Sequence, residues 1–284
     1  MSVTDRLMSL PAWTVAPRLV GMARAGVGAA AIIEAVEVAP QLRALSGGRT
    51  LALPRWEALP VLTAGAVPLF LAAWLFVAAA FCLGWRTRVM GIALTGVLTY
   101  VLAADRQLYT NHLYLMTLLV LLFTLARSGA AFSIDARRGR GSPAIPAWPV
   151  LLVRAQVSIV YLFAAAAKFN VVYVSGVVLR AGVEAPAIQS LPPVVFTGAA
   201  IASLATELFL GVALWRPKLR TLAFLAGTVF HLTILATMQL LPDLLTFALL
   251  MLSGYLCFLA PMDGRRRVAA GPEHIPGEEA LVSA

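Results

Sequence analysis

Eight apolar stretches divide this 284-residue chain, at about 18–39, 60–84, 88–105, 108–126, 149–169, 197–215, 219–238 and 242–260. Nothing else in the sequence constrains the fold as strongly. A helix of roughly 20 residues covers the hydrocarbon core of a bilayer. In lipid the backbone has no water to bond, so each stretch must satisfy its own N–H and C=O groups as a helix. The predicted fold is therefore all-α: a polytopic transmembrane bundle of about eight helices with no sizeable soluble domain. Composition agrees, with 61% hydrophobic and 12% charged residues, where a soluble domain has about half and about a quarter.

The spans divide the chain into a short N-terminal cytoplasmic segment (1–17), a membrane domain (18–260) with a cytoplasmic linker at 127–148, and a polar tail (261–284). Residues 1–17 have no clean apolar core ahead of a cleavage site, so a secretory leader is not expected. The formal charge of +9 raises the question of nucleic acid. The basic residues sit in short clusters between apolar spans, which excludes that partner and makes them reporters of orientation. With the N-terminus inside, thirteen basic residues fall on inside segments, including Arg137, Arg138 and Arg140, and five on outside loops. Both termini are therefore expected in the cytoplasm, and abundant Ala, Val and Arg suit a bacterial inner membrane. The two cysteines, Cys82 and Cys257, lie in separate spans and give neither a disulfide framework nor a metal spacing.

An ionisable group at membrane depth is costly and by default marks function. Lys168 stands out in "YLFAAAAKFN", because the chain has only two lysines beside twenty arginines. Either cation could snorkel to an interface. Only lysine gives up its proton readily when desolvated. The preceding alanines permit close helix approach, which would surround the amine with protein. Arg154, Tyr161 and Lys168 fall seven apart, on one helix face. Asn111 and His112 open the fourth span at the same expected outer level. His112 can shuttle a proton and Asn111 can orient a neighbour; the alternative is a helix cap beside an interfacial imidazole. Glu207, mid-span in the sixth helix, reads either as half of an ion pair with Lys168, Arg180 or Arg24 or as a functional carboxylate. His231, in the seventh span, is either a pocket residue or simply hydrogen-bonded in the bundle. Arg180 follows the fifth span and suits an anionic group. Arg24, Glu34 and Glu37 interrupt the first span. No HExxH, GxSxG, Walker or dinucleotide motif occurs.

In order, "FCLGWRTR", "NHLYLMTLL", "YLFAAAAKFNVVYVSGVVLR", "TELFLGVALWRPKLR" and "FHLTILATMQL" resemble the HTTM family, the membrane domain shared with vitamin K-dependent γ-glutamyl carboxylases. The resemblance covers roughly Arg18 to Ala260. It implies a lipophilic quinol ligand, menaquinol or vitamin K hydroquinone, at the outer face, and no metal. Lys168 would be the base for quinol oxidation, epoxidation or carboxylation-type chemistry, assisted by His112. Asn111, Tyr161, Arg180, Glu207 and His231 would shape the pocket. Around the lysine this chain has Ala where the family often has Gly, and Tyr173 stands for Trp. The sequence runs about 24 residues past the last span, so the large C-terminal domain that binds protein substrates in the carboxylases is not expected. A branch resembling the sporulation-delaying protein B group implies the alternative of a non-catalytic membrane partner in maturing or secreting a small peptide. A transporter ranks lowest, since no inverted repeat is visible.

Overall fold

The computed structural model describes residues 13–56, 59–60, 62–238 and 242–263. The predicted tail lies almost wholly outside these residues, as do residues 1–12 of the N-terminal segment. Each of the eight predicted spans holds one apolar helix: α1 (Pro17–Ser46), α2 (Val67–Leu83), α3 (Thr87–Ala104), α4 (Asn111–Leu125), α5 (Trp148–Lys168), α9 (Pro193–Ala213), α10 (Arg220–Thr237) and α11 (Pro242–Leu259). Three short helices, α6 (Val171–Val174), α7 (Val177–Gly182) and α8 (Pro186–Gln189), fill the connection after α5, which the hydropathy pattern leaves as a loop. Six of the apolar helices are long enough to cross a membrane by length and composition, and α2 and α4 are shorter at 17 and 15 residues. The chain is a multi-pass membrane protein.

Proline fixes several helix starts. It occupies the first or second position of α1, α2, α5 and α9, where its missing N–H costs no hydrogen bond and its φ is already helical. For this reason α2 begins at Val67 and not near residue 60, and α9 begins four residues before its expected start. The longest helix, α1, packs mainly against α11 and α2. Its inner face is built from small residues, among them Ala23, Val27, Ala30, Ala31 and Ala35. At Gly28 the helices nearly touch: a Cβ there would lie 2.6 Å from Cys82 Cα.

Two buried charges hold one end of the bundle. The Arg24 side chain, one of the charges that interrupt the first span, is fully buried. It donates to the carbonyls of Phe81, Cys82 (2.7 Å) and Phe132 (2.7 Å). It thereby satisfies the C-terminal carbonyls of α2, which have no partner in their own helix. Arg154 does the same for α11, donating to Cys257 O at 2.8 Å and Ala260 O at 2.9 Å. In the linker, Asp135 accepts from Arg86 N (3.0 Å), Thr87 N (2.7 Å) and Thr87 Oγ1 (2.7 Å), at the start of α3. Burial pushes its carboxyl up, but these donors and the Arg140 charge outweigh burial and hold it below its ordinary value.

At the same end, three two-residue strands form an antiparallel sheet in the order β2 (Ile145–Pro146), β1 (Thr14–Val15), β3 (Met262–Asp263). The sheet ties together the entry to α1, the linker before α5 and the exit from α11. At the opposite end, Leu53 N donates to Asp105 Oδ2 at 2.7 Å, and Val183 pairs with Met238. Large apolar side chains such as Leu69, Phe163, Leu225 and Val229 are exposed around the outside, as lipid-facing helices require.

Candidate functional site

The site begins where α5 stops. Lys168 is the last residue of α5, and Asn170 starts the next turn. The Asn170 side chain works in both directions: Nδ2 donates to Ala167 O at 2.8 Å, and Oδ1 accepts from Tyr173 N at 2.9 Å. This reversal brings the Tyr173 ring back under the lysine, with Nζ 5.4 Å from the ring centroid. Tyr173 OH in turn bonds Ser203 Oγ at 2.7 Å on α9. One turn further along α9, Glu207 Oε1 pairs directly with Lys168 Nζ. The Glu207 side chain is 5% exposed and the Lys168 side chain 26%. Glu207 Oε2 is buried and has no hydrogen-bond partner.

The pair borders a cavity of about 210 Å³ between α5, α9, α10 and α11, lined by Tyr161, Ala164, Lys168, Glu207, His231 and Phe247, among others. Tyr161 comes from the same face of α5 as Lys168, two turns earlier. Its hydroxyl lies 2.8 Å from His231 Nε2 and also hydrogen-bonds the Tyr255 hydroxyl. His231 is held between the rings of Phe230 and Phe247, whose centroids lie 5.6 and 5.8 Å from its own. Tyr255 fits because residue 227 on α10 is glycine: any Cβ there would run into its ring. An open apolar groove of about 550 Å³ along α7, α9 and α10 shares Phe230 and Ile234 with the cavity wall.

Chemically, a lysine and a carboxyl in direct contact can be ammonium with carboxylate or amine with carboxylic acid. The two states differ by one proton moved along one hydrogen bond. Low dielectric narrows the gap between them, because burying separated charge is costly. A chain of imidazole, hydroxyl and hydroxyl (His231, Tyr161, Tyr255) beside the same cavity adds donors and acceptors that can meet a polar group on a mainly apolar ligand.

Four of the seven sequence-predicted residues thus converge: Lys168, Tyr161, Glu207 and His231. The other three do not. His112 Nε2 sits 3.0 Å from Glu34 Oε2 and 3.1 Å from Thr110 Oγ1, and none of its contacts among the described residues is with Lys168. Asn111 is exposed, accepting from Tyr109 OH at 3.4 Å, while Thr110 caps α4 by accepting from Leu113 N. Arg180 is exposed on α7, where Nε donates to Gln189 O and the guanidinium lies 5.9 Å from the Phe196 ring centroid. Sequence reasoning noted Tyr173 only as standing where the family often has Trp, and it overlooked Tyr255, to which nothing local pointed.

A family model described as the HTTM domain matches residues 15–262. No curated protein and no solved structure matches the chain. The matched region begins at β1, ends at β3 and includes every helix that lines the cavity. The chain belongs to the HTTM family.

Proposed function

We propose that this HTTM protein binds a lipophilic quinol from the bilayer and uses Lys168 as the base that takes up a quinol hydroxyl proton. The supporting observation is the direct Lys168–Glu207 contact on the wall of a mainly apolar cavity. The residues fit such a ligand. At about 210 Å³ the cavity is below the size that encloses a drug-sized molecule. It suits a ring, and the adjoining groove of about 550 Å³ suits an apolar tail. The orphaned Glu207 Oε2 offers an acceptor for a hydroxyl.

The proton steps involve only this chain's groups. Glu207 accepts a proton from the Lys168 ammonium, which leaves a neutral amine beside a carboxylic acid. The amine then takes the proton of a hydroxyl within hydrogen-bond reach and returns to ammonium. Tyr161 and His231 orient the ring's far side, and Tyr255 holds Tyr161 in place. A bound, deprotonated quinol would be the electron donor, and molecular oxygen would be the acceptor that quinol oxidation, epoxidation or carboxylation-type chemistry requires. Phe230 and Phe247 exclude water from the reacting edge. The sequence reading puts this end of the bundle at the outer face of a bacterial inner membrane.

The test is the lipid that leaves the membrane with the protein. The full chain is purified in mild detergent and its bound lipids are identified by mass spectrometry. A quinone or quinol enriched over bulk lipid, and depleted in a His231→Leu variant, is expected. No enrichment would overturn the reading. A second reading, a non-catalytic partner in peptide maturation, is favoured by the exposed apolar run Phe169, Val171 and Val172 beside the lysine. It would be recognised by a small protein co-purifying in place of the quinone.

A further inference from the structure

Two of the residues that interrupted the first span, Glu34 and Glu37, form a second polar cluster further along α1 than the Arg24 cap. Glu34 and Glu37 lie three apart on one face of α1, opposite His112 at the start of α4. One donor atom from each lies within 4.8 Å of the others. Glu34 is 1% exposed, and among the described residues its Oε2 meets no partner but the His112 ring. That atom points at His112 Nε2, 3.0 Å away. Glu37 Oε1 accepts from Thr246 Oγ1 at 3.1 Å, which leaves Oε2 buried and without a partner. Asp243, at the start of α11, brings Oδ1 to 4.0 Å from the same imidazole nitrogen, and its side chain is 52% exposed. Among the described residues no Lys or Arg forms an ion pair with any of these three carboxylates.

Carboxylates this close repel one another and Glu34 lacks water, so the arrangement calls for a positive charge, which a proton on His112 or a bound cation can supply. We propose that Glu34, Glu37 and His112 form a binding site for a divalent transition-metal ion, with Asp243 at its entrance. The donors suit that class. Imidazole with carboxylates is the ligand set of Zn²⁺, Mn²⁺ and Fe²⁺, whereas Mg²⁺ and Ca²⁺ prefer oxygen alone. Ligands about 2.0–2.2 Å from one ion, at roughly right-angled to tetrahedral spacing, lie about 3 Å apart, which is the separation of Glu34 Oε2 and His112 Nε2. Thr246 orients Glu37 from outside the ligand set, as such sites require. Asp243 opens the site to solvent at the end of the bundle opposite the three-stranded sheet. Three protein ligands leave positions free for water or a substrate group. The site stands apart from the Lys168 cavity and does not depend on what that cavity binds.

The experiment uses the full chain in detergent, stripped with a chelator and titrated with Zn²⁺ or Mn²⁺ against a competing metal indicator. Elemental analysis gives the stoichiometry. One ion per chain is expected, with affinity lost in Glu34→Gln and His112→Gln. Thr246→Val should weaken binding by about tenfold or more. The sequence places His274 in the tail, and His274→Ala should bind as the parent does. Size-exclusion profiles and melting curves verify that each variant is folded. Zn²⁺ should raise the melting temperature of the parent chain and leave that of Glu34→Gln unmoved. The proposal is overturned if the parent binds no ion at micromolar metal, if Glu34→Gln binds as tightly as the parent, or if removing His274 abolishes binding. The cluster would then be held by shared protons.

Discussion

Lys168 and Glu207 are buried to different degrees, and that difference sets the cost of separating them. Lys168→Met would leave a carboxyl that is 5% exposed, with Oε2 already unpartnered and the one cation paired with it among the described residues gone. Breaking a buried pair from one side costs about 3–5 kcal/mol. Glu207→Leu would leave an amine that is 26% exposed on a four-carbon stem at a helix end. It can turn toward the interface, so its cost is expected to be smaller, about 1–3 kcal/mol. Replacing both by apolar residues of similar volume is expected to be nearly neutral, within about 1 kcal/mol of the parent. The coupling in this double-mutant cycle should thus be about 3 kcal/mol or more. The assay is unfolding of the four proteins in one detergent, followed by intrinsic fluorescence at fixed lipid content. Strictly additive costs, with coupling below about 0.5 kcal/mol, would refute the direct pair and the low-dielectric setting inferred for it.

Other consequences can be checked alongside. Gly227→Ala should displace Tyr255, destabilise the protein by about 1–3 kcal/mol and lower its bound-lipid content; a normal melting curve with normal lipid content would contradict the packing described. Arg24→Leu removes the partner of three carbonyls and should cost about 2–4 kcal/mol, read as a lower melting temperature. Asp135 has a folded-state pKa below its unfolded value of about 3.9. Its contribution is therefore complete above that unfolded value and lost as pH falls through the lower folded one. Asp135→Asn should cost about 1.5–3 kcal/mol at neutral pH and flatten the acid limb of stability below about pH 4. An unchanged acid limb would mean the linker carboxylate is not held as described.

Much of the bundle was legible in the sequence because lipid leaves the backbone few choices. Apolar length alone located all eight apolar helices, and proline at their first turns explains most shifts in their starts. The chain reversal after Lys168 was not legible, because it depends on one asparagine side chain bonding both ways. Lys168 was found because its type is rare in this chain and its neighbours are small. Pairing it with Glu207, among three cations considered, needed the crossing of α5 and α9. The family resemblance made His112 the lysine's helper, and both were expected at the same level of the membrane. Depth does not fix position around the bundle, and α1 holds His112 through Glu34 instead. Glu34 and Glu37 were taken as blemishes in a span. Their spacing put them on one face, but only tertiary structure brings an imidazole to that face.

The most direct test of the central claim is the initial rate of quinol oxidation by the reconstituted protein, measured with parent, Lys168→Ala and Lys168→Arg at matched folded amounts. A general base contributes about 10²–10⁴-fold, so both variants are expected to fall by that order, arginine included, since it keeps the charge but not the ability to release a proton. Parental rates in Lys168→Ala, or rescue by arginine, would contradict the assignment of that amine as the base.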